Sequence, residues 1–406
     1  MDDHDYSPTV LQMIVEAAVR LHSFADAAYA LHQAGIRISS RHVHRIALEI
    51  GRELIEQRDR DVLLRRRRQL PVAVPANPEV VAVEVDGGHL RTRASACGPG
   101  VHDKQNKETK IACLVTLRSQ PSETDPQPLP PESLLMPRRV QRLVQRMHGK
   151  PGNMSREVEK QEDTATEARA EPDARSGQAE PPRKRVRTCV ASMEDSRSFG
   201  PMVAAEAQRR GFYEAGRRAY LADGAAYNWT IHRGYFGDFE PVVDFLHVLC
   251  YVYSVAWAVG TDEEKRWSGY TGWMRGCWQG RVREVIEEMK SWRGLLAEQS
   301  GGEELEEKRR RELLEEALTY LENNQGRMDY PRYRKAGLPC TSSLVESLVG
   351  QFNARVKGHE KFWNRGEEVE AILQLRAAFL SEDERLARFF AQRPGYPYRG
   401  HRPADE

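Results

Sequence analysis

Apolar residues recur at helical spacing near the start of the chain, where Val10, Met13, Ile14, Ala17, Ala18 and Leu21 predict a first helix. FADAAYALHQAG predicts a second, with Ser23 placed to cap it, Asp26 three residues on, and Gly35 to end it. After Ile36-Arg37-Ile38, Ser39 or Ser40 opens another helix, RHVHRIALEIG, stopped by Gly51. Arg52 to Arg68 reads as a charged helix and linker, closed by Pro71, Pro75 and Pro78. The period then changes. EVVAVEVDGGHLRTRAS holds two extended runs around Asp86-Gly87-Gly88, and KETKIACLVTL is a third strand, so the three predict an antiparallel meander.

Residues 119–182 are rich in Pro, Glu, Gln, Ser and Ala and nearly free of aromatic side chains. Such a stretch buries too little apolar area to offset its chain entropy and is expected to be a disordered insertion, with a short helix from Arg138 to Met147. RKRVRTCVASM resumes strand character, SFGPMVAAEAQRRGF is a helix, and RRAYLADGAAYNW gives a strand ending at Asp223-Gly224. From about Asp238 to Leu321 the pattern is helical. SSLVESLVGQFNARVKG forms an amphipathic helix carrying Glu346, and EEVEAILQLRAAFLS forms the last one.

Composition adds the chain's class. In 406 residues, 40% are hydrophobic and 30% charged, enough for two or three domains of a globular protein. No run of about 18 apolar residues suggests a membrane span. The acidic start, Met1-Asp2-Asp3-His4-Asp5, has no apolar run behind it, so the expected location is the cytoplasm. Six cysteines are scattered without a Cys-x-x-Cys pair, which predicts buried free thiols rather than a zinc site. The net charge of +1 hides basic blocks. Ten Arg face five acidic residues between Arg37 and Arg68, and seven basic residues face two acidic ones between Arg332 and Arg365. Such blocks suit a polyanion; solvated helix faces are the alternative.

Two short helices joined by a Gly-containing turn resemble a helix-turn-helix. Its second helix would present Ser40, Arg41, His44 and Arg45 to DNA; an ordinary helical hairpin is the other reading. Asp86 and Asp223 each close a β-rich run and each precede Gly, which lets the chain turn away beside the carboxylate. A Glu on a helix packed against the same sheet, Glu346, can complete a three-carboxylate cluster. Hard oxygen ligands with open positions suit two Mg²⁺ or Mn²⁺ ions, which can clamp an in-line displacement at phosphorus. Taken singly, each residue also fits a blander role: a turn, a helix cap, a solvated side chain.

VEVDGGHLRTR, ETKIACLVTL, RVRTCVASMEDSRSFG, EAQRRGFYEAGRRAYLADGAAYNWTI, FEPVVDFLHVLCYVY and SSLVESLVGQFNARVKGHEKFW together resemble bacterial insertion-sequence transposases of the Kra type, DDE enzymes distantly similar to Mutator-like families. SFADAAYALHQAGIRISSRHVHRIALEIG fits as well. The resemblance implies an α/β, ribonuclease-H-like catalytic core with an all-helical insertion, and the 123 positions between Asp223 and Glu346 leave room for one. It implies Asp86, Asp223 and Glu346 as metal-binding catalytic residues. It also implies a supporting acid–histidine pair at Asp244 and His247, for which burial as a stabilising pair is the competing role. Arg355 and Lys357 would hold phosphates; Trp363 would pack or stack a base.

The organisation expected is a helix-turn-helix-like region at 1–70, a core at 79–118 and 183–235, the disordered insertion at 119–182, the helical insertion at 236–338, C-terminal core helices at 339–392 and a loose tail at 393–406. The chemistry implied is hydrolysis at element ends, then attack of the freed 3′-OH on target DNA, without a covalent enzyme intermediate. The partners implied are double-stranded DNA, as terminal repeats and target, and further copies of the chain in a homodimer or larger assembly. A nuclease on the same core, a catalytically inactive DNA-binding remnant, and a small-molecule enzyme are the competing functions.

Overall fold

The computed structural model describes residues 6–92, 105–148, 181–298, 305–342, 348, 350–352, 356 and 366–395. In chain order these form helices α1 (Pro8–Arg20), α2 (Phe24–Gln33) and α3 (Ser40–Arg66), then strands β1 (Val80–Thr92) and β2 (Gln105–Arg118). Helix α4 (Pro137–His148) precedes β3 (Arg183–Ser192), α5 (Ser196–Arg209), β4 (Arg217–Ala222), α6 (Ala226–Tyr235) and β5 (Glu240–Val243). There follow α7 (Phe245–Val259), α8 (Glu263–Trp278), α9 (Val282–Glu298), α10 (Leu305–Asn324) and α11 (Tyr330–Lys335), and later α12 (Gly366–Leu380) and α13 (Arg385–Ala391). The chain is mixed α/β and divides into two compact units, one drawn from Met1–Arg118, Lys184–Pro241 and Ser342–Glu406, the other from Ser119–Arg183 and Val242–Thr341. Among the described residues no helix is long and apolar enough to cross a membrane.

The first unit is built on a sheet of order β3-β2-β1-β4-β5. β1 is central: antiparallel to β2 from Val80↔Leu117 to Thr92↔Gln105, and parallel to β4 from Val80↔Arg217 to Val85↔Ala222. Val80, Val81, Ala82, Val83 and Val85 are at most 1% exposed, the near-continuous apolar run of a strand covered on both faces. The expected turn at Asp86-Gly87-Gly88 does not form. β1 runs straight through both glycines, which pair with Lys110 and Thr109, so the meander of three strands is a hairpin of two long ones. The glycines keep side chains off a crowded face instead of bending the chain.

The N-terminal helices follow the apolar pattern. Leu11, Ile14, Val15, Ala18 and Val19 form the buried stripe of α1. Ser23 caps α2, accepting from the Asp26 amide at 3.0 Å and donating to its carboxylate at 2.7 Å, and Gly35 ends the helix with φ +84°. Gly51, expected as a helix stop, lies inside α3. A Cβ there would stand 2.5 Å from the Ala371 carbonyl of α12, so this glycine permits a close helix crossing. α3 ends instead at Arg66, and Arg68 just beyond it is left-handed at φ 57°. These helices are not a separate region: α3 packs on α5 and α12, and α1 packs on α12 and α13. Arg393, expected to begin a loose tail, is 8% exposed and pairs with Glu53 at 2.6 and 2.9 Å. The rest of that tail, from 396, lies outside the described residues.

α12 is buried on all sides from Val369 to Ala378, and its polar members are each engaged. Glu370 accepts from Ser192 Oγ and the Met193 amide, both at 2.8 Å, and from Arg58. Gln374 donates to the Ala191 carbonyl at 2.6 Å, and Arg376 to the carbonyls of Val19 and Gln351. These bonds lock β3 and α1 to the C-terminal helix.

The second unit is helical. α7 is mostly apolar, with Phe245 meeting Trp278 and Tyr330 edge-on at 4.8 and 5.0 Å, and Tyr251 stacked on Tyr320 at 3.9 Å. Residues 119–148, expected to be disordered, are ordered within it. Leu134, Val140 and Val144 are buried. Asp125 takes a two-pronged bond from Arg334 at 2.8 and 2.6 Å, and the carbonyls of Leu134 and Gln127 accept from Tyr270 and Trp278 at 2.9 Å. A polar segment orders here because neighbouring aromatic and arginine side chains satisfy its backbone. The helix expected at Arg138–Met147 is α4; residues 149–180 lie outside the described ones. Three elements went unforeseen: α6, directly after the second Asp-Gly; β5, within a stretch expected to be helical; and α13, beyond the helix expected to be the last.

Candidate active site

The parallel pairing of β1 with β4 ends at Val85↔Ala222, so the next residues along the two strands, Asp86 and Asp223, stand side by side at the same level. Adjacent strands lie about 4.8 Å apart, which places both carboxylates at one sheet end. Their backbones then diverge. Gly224 takes φ +98° and the chain enters α6, while β1 continues through Gly87.

Each carboxylate is oriented by neutral donors. Asp86 Oδ1 accepts from the Gly87 amide at 2.7 Å. Asp223 Oδ1 accepts from the Ala225 amide at 2.9 Å and from Asn228 Nδ2 at 2.8 Å, which ties the acid to the first turn of α6. The helix-cap reading of Asp223 is therefore realised in part, and that bonding fixes the side chain at the strand end. Beside it, Asn228 Oδ1 and the Tyr220 hydroxyl are buried without a protein partner.

Tyr227, one helical turn after Asp223, reaches back over β1. A Cβ on Gly87 would lie 3.1 Å from its hydroxyl and 3.5 Å from Glu108 Oε1. Burial pushes the Tyr227 phenol up, and the nearby charges of Asp223, Glu108 and Asp86 push it further, so it stays protonated at neutral pH. Lys110, only 5% exposed, pairs with Glu108 at 2.9 Å and lies 5.5 Å from the Tyr227 ring centre. Opposed residues of an antiparallel pair share a face, so Lys110 faces with Gly87 and Ile111 with Asp86.

These four neighbours, Glu108, Lys110, Tyr227 and Asn228, were not singled out in the sequence. The signal was present: Tyr and Asn follow Asp223 by one helical turn in ADGAAYN, and Glu108 and Lys110 alternate on one strand face in KETK.

Glu346, Arg355, Lys357 and Trp363 lie outside the described residues. Leu348, Phe352 and Val356, spaced by four and buried, show the apolar face of the helix expected there. Among the described residues no three His, Cys, Asp or Glu side chains group so as to hold a metal ion. The donor set that is present, two carboxylates with orphaned buried oxygens beside them, has the hard-oxygen chemistry that Mg²⁺ or Mn²⁺ takes.

Asp244 and His247 belong to the second unit. Asp244, fully buried, caps α7 by accepting from the Leu246 amide at 3.2 Å, and His247 Nε2 stands 3.8 Å from its carboxylate. The expected pair exists, with Asp244 at the helix cap and not on the helix face. Of the residues expected to face DNA, Ser40, Arg41 and Arg45 are exposed at the start of α3. Arg45 bonds Glu49 at 3.2 Å and lies 2.7 Å from His42 Nε2. His44 is half-buried, its ring 4.6 Å from that of Phe24, so it serves packing between α2 and α3. The cysteines within the described residues, Cys113, Cys189, Cys250, Cys277 and Cys340, are free and buried.

No protein-family model and no curated protein matches the chain.

Proposed function

We propose that the sheet-based unit is the catalytic core of a DDE-type DNA transposase, hydrolysing phosphodiesters at element ends and transferring the 3′ ends to target DNA. The observation that carries this reading is the parallel register that aligns Asp86 with Asp223. The order strand–Asp, two further strands, helix, strand–Asp on a β3-β2-β1-β4-β5 sheet supports a ribonuclease-H-like core. Asp86 and Asp223, with Glu346 as third ligand, would hold Mg²⁺ or Mn²⁺, which when bound supplies positive charge at the phosphate and a more acidic water.

The chain's own groups have separable tasks. The Ala225 amide and Asn228 hold Asp223 in place. Tyr227 is kept protonated and so can donate a hydrogen bond to a phosphate oxygen, but cannot act as a base at neutral pH. Ser40, Arg41 and Arg45 offer an exposed, partly basic helix start for DNA. Joining two element ends calls for two or more copies of the chain.

The test uses purified protein with labelled DNA carrying the ends that flank its gene, in Mg²⁺ or in EDTA, beside Asp86→Asn, Asp223→Asn and Glu346→Gln. Metal-dependent nicking and joined products, lost in all three variants, are expected. Nicking without joining would make the protein a nuclease. Binding without cleavage in several metals would make it an inactive DNA-binding remnant.

A further inference from the structure

A groove of about 880 Å³ opens at the opposite end of the sheet from Asp86 and Asp223, where β1 begins and β2 ends, wholly within the first unit. Its volume is that of a small-molecule site. The walls come from α3, residues 73–79, α5, α12 and α13, and Leu54, Met202 and Phe389 give it apolar surface.

The charges on its wall do not cancel. Asp61 is taken by Arg209 at 2.6 Å, Glu206 and Asp383 by Arg385, Glu382 by Lys184 and Arg187, and Glu79 by Arg217. Arg118 and Arg185, both exposed on the wall, make no ion pair among the described residues. Arg210 is only 7% exposed and bonds neutral acceptors alone: the Leu114 carbonyl at 2.8 Å, Thr188 Oγ1 at 2.9 Å, the Val186 carbonyl at 3.3 Å, and Thr116 Oγ1. The acids are thus each matched, the charges of Arg118 and Arg185 remain over, and Arg210, which shares the field of Glu206, stands behind them.

We infer that this groove binds a nucleotide, its phosphate held by Arg118 and Arg185 in the field of Arg210 and its base lying on the apolar wall. A simple inorganic anion would leave that wall bare, and an apolar ligand would leave the arginines unmatched. The site lies six residues down β1 from Asp86, about 20 Å at the rise of a strand, so it is separate from the carboxylate pair. The nucleotide can be free or part of a single strand.

Calorimetric titration of the full chain with deoxyadenosine monophosphate and with an eight-nucleotide single strand tests this. Arg118→Glu/Arg185→Glu removes the phosphate contacts. Ala76→Trp, at an exposed lining position, fills the groove without touching the core. Both are expected to weaken the bound probe at least about tenfold, and the strand's affinity should fall with salt. Binding of the mononucleotide identifies a free nucleotide as sufficient; binding of the strand alone identifies nucleic acid as the source. Failure of the wild-type chain to bind either probe, or unchanged binding in both variants, overturns the proposal. Asp223→Asn is expected to bind both probes as wild type does, so this result stands or falls apart from the catalytic reading.

Discussion

Where the pairing of β1 with β4 ends, backbone amides and one neutral side chain donate to Asp86 and Asp223, and the nearby lysine, Lys110, is paired to another acid. At the other end of the same sheet, each acidic residue on the groove wall has an arginine or lysine partner. A carboxylate saturated by guanidinium has its lone pairs spent and its charge neutralised. One held by N–H donors keeps its charge and can still ligate a cation. In the proposed function the two ends divide the work: the acids of the far end brace the fold, and Asp86 and Asp223 would ligate the metal.

The largest expected effect separates these roles. Asp223→Asn keeps an oxygen that can accept from the Ala225 amide, so its melting temperature should stay close to wild type. Cleavage should fall by at least about a thousandfold, since several kcal/mol of charge stabilisation goes with the carboxylate. An equal loss of stability and activity would mean that Asp223 only braces the turn into α6, and the contrast between the two ends would collapse.

Glu206→Gln probes the far end. Burial pushes the Glu206 carboxyl up, but Arg385 outweighs it, with help from Thr188 and Arg210, and holds the group below its ordinary 4.5. Asp383 is likewise held low, Arg385 overcoming the effect of burial. A depressed carboxylate contributes stability that is complete above its unfolded value and is lost as pH falls through its folded one. Wild-type urea stability should therefore be flat from neutrality down to about pH 4.5 and decline below it. The variant should lose about 3 kcal/mol at pH 7, because Arg385 loses a buried partner, and its decline in acid should be shallower. Parallel acid profiles would show that this pair does not carry the far end.

How far these regions were legible follows from what each depends on. The helices, the strands and the flanking positions of Asp86 and Asp223 follow from local periodicity and Asp-Gly dipeptides, and the structure sets the two acids side by side. What neighbours decide was not legible. Gly51 and Gly87 carry the same local signal as Gly35, yet only Gly35 ends an element; the others are glycine because Ala371 and Tyr227 approach closely. The order in residues 119–148 comes from Arg334, Tyr270 and Trp278, more than a hundred positions away, which no composition window can register. The cluster of Glu108, Lys110 and Tyr227 joins β2 to α6 over Gly87 of β1 and becomes visible only with the β1–β2 register.

Gly51→Ala makes the first of these distinctions quantitative. A methyl 2.5 Å from the Ala371 carbonyl must push α3 from α12, and both helices help wall the groove. Overpacking of this kind costs about 1–3 kcal/mol, against at most about 1 kcal/mol gained in helix propensity. Net destabilisation in urea is expected, with nucleotide binding at the groove weakened more than DNA cleavage. Net stabilisation would show that Gly51 is an ordinary helix glycine and that the crossing has slack.

Gly87→Ala should show the smallest effect on stability and is the most direct probe of the carboxylate end. Its Cβ would meet the end of a side chain, the Tyr227 hydroxyl at 3.1 Å, not a rigid backbone. Tyr227 can swing aside, so unfolding should shift by less than about 1 kcal/mol. The displacement moves a protonated phenol off the face that Gly87 shares with Lys110 while leaving Asp86 and Asp223 in place. If Tyr227 donates to a substrate phosphate, cleavage should drop about tenfold and Tyr227→Phe should drop it by a similar amount, with little further loss in the double variant. Additive losses would place Gly87 and Tyr227 in separate roles. Unchanged cleavage in both single variants would confine the chemistry of this end to its carboxylates.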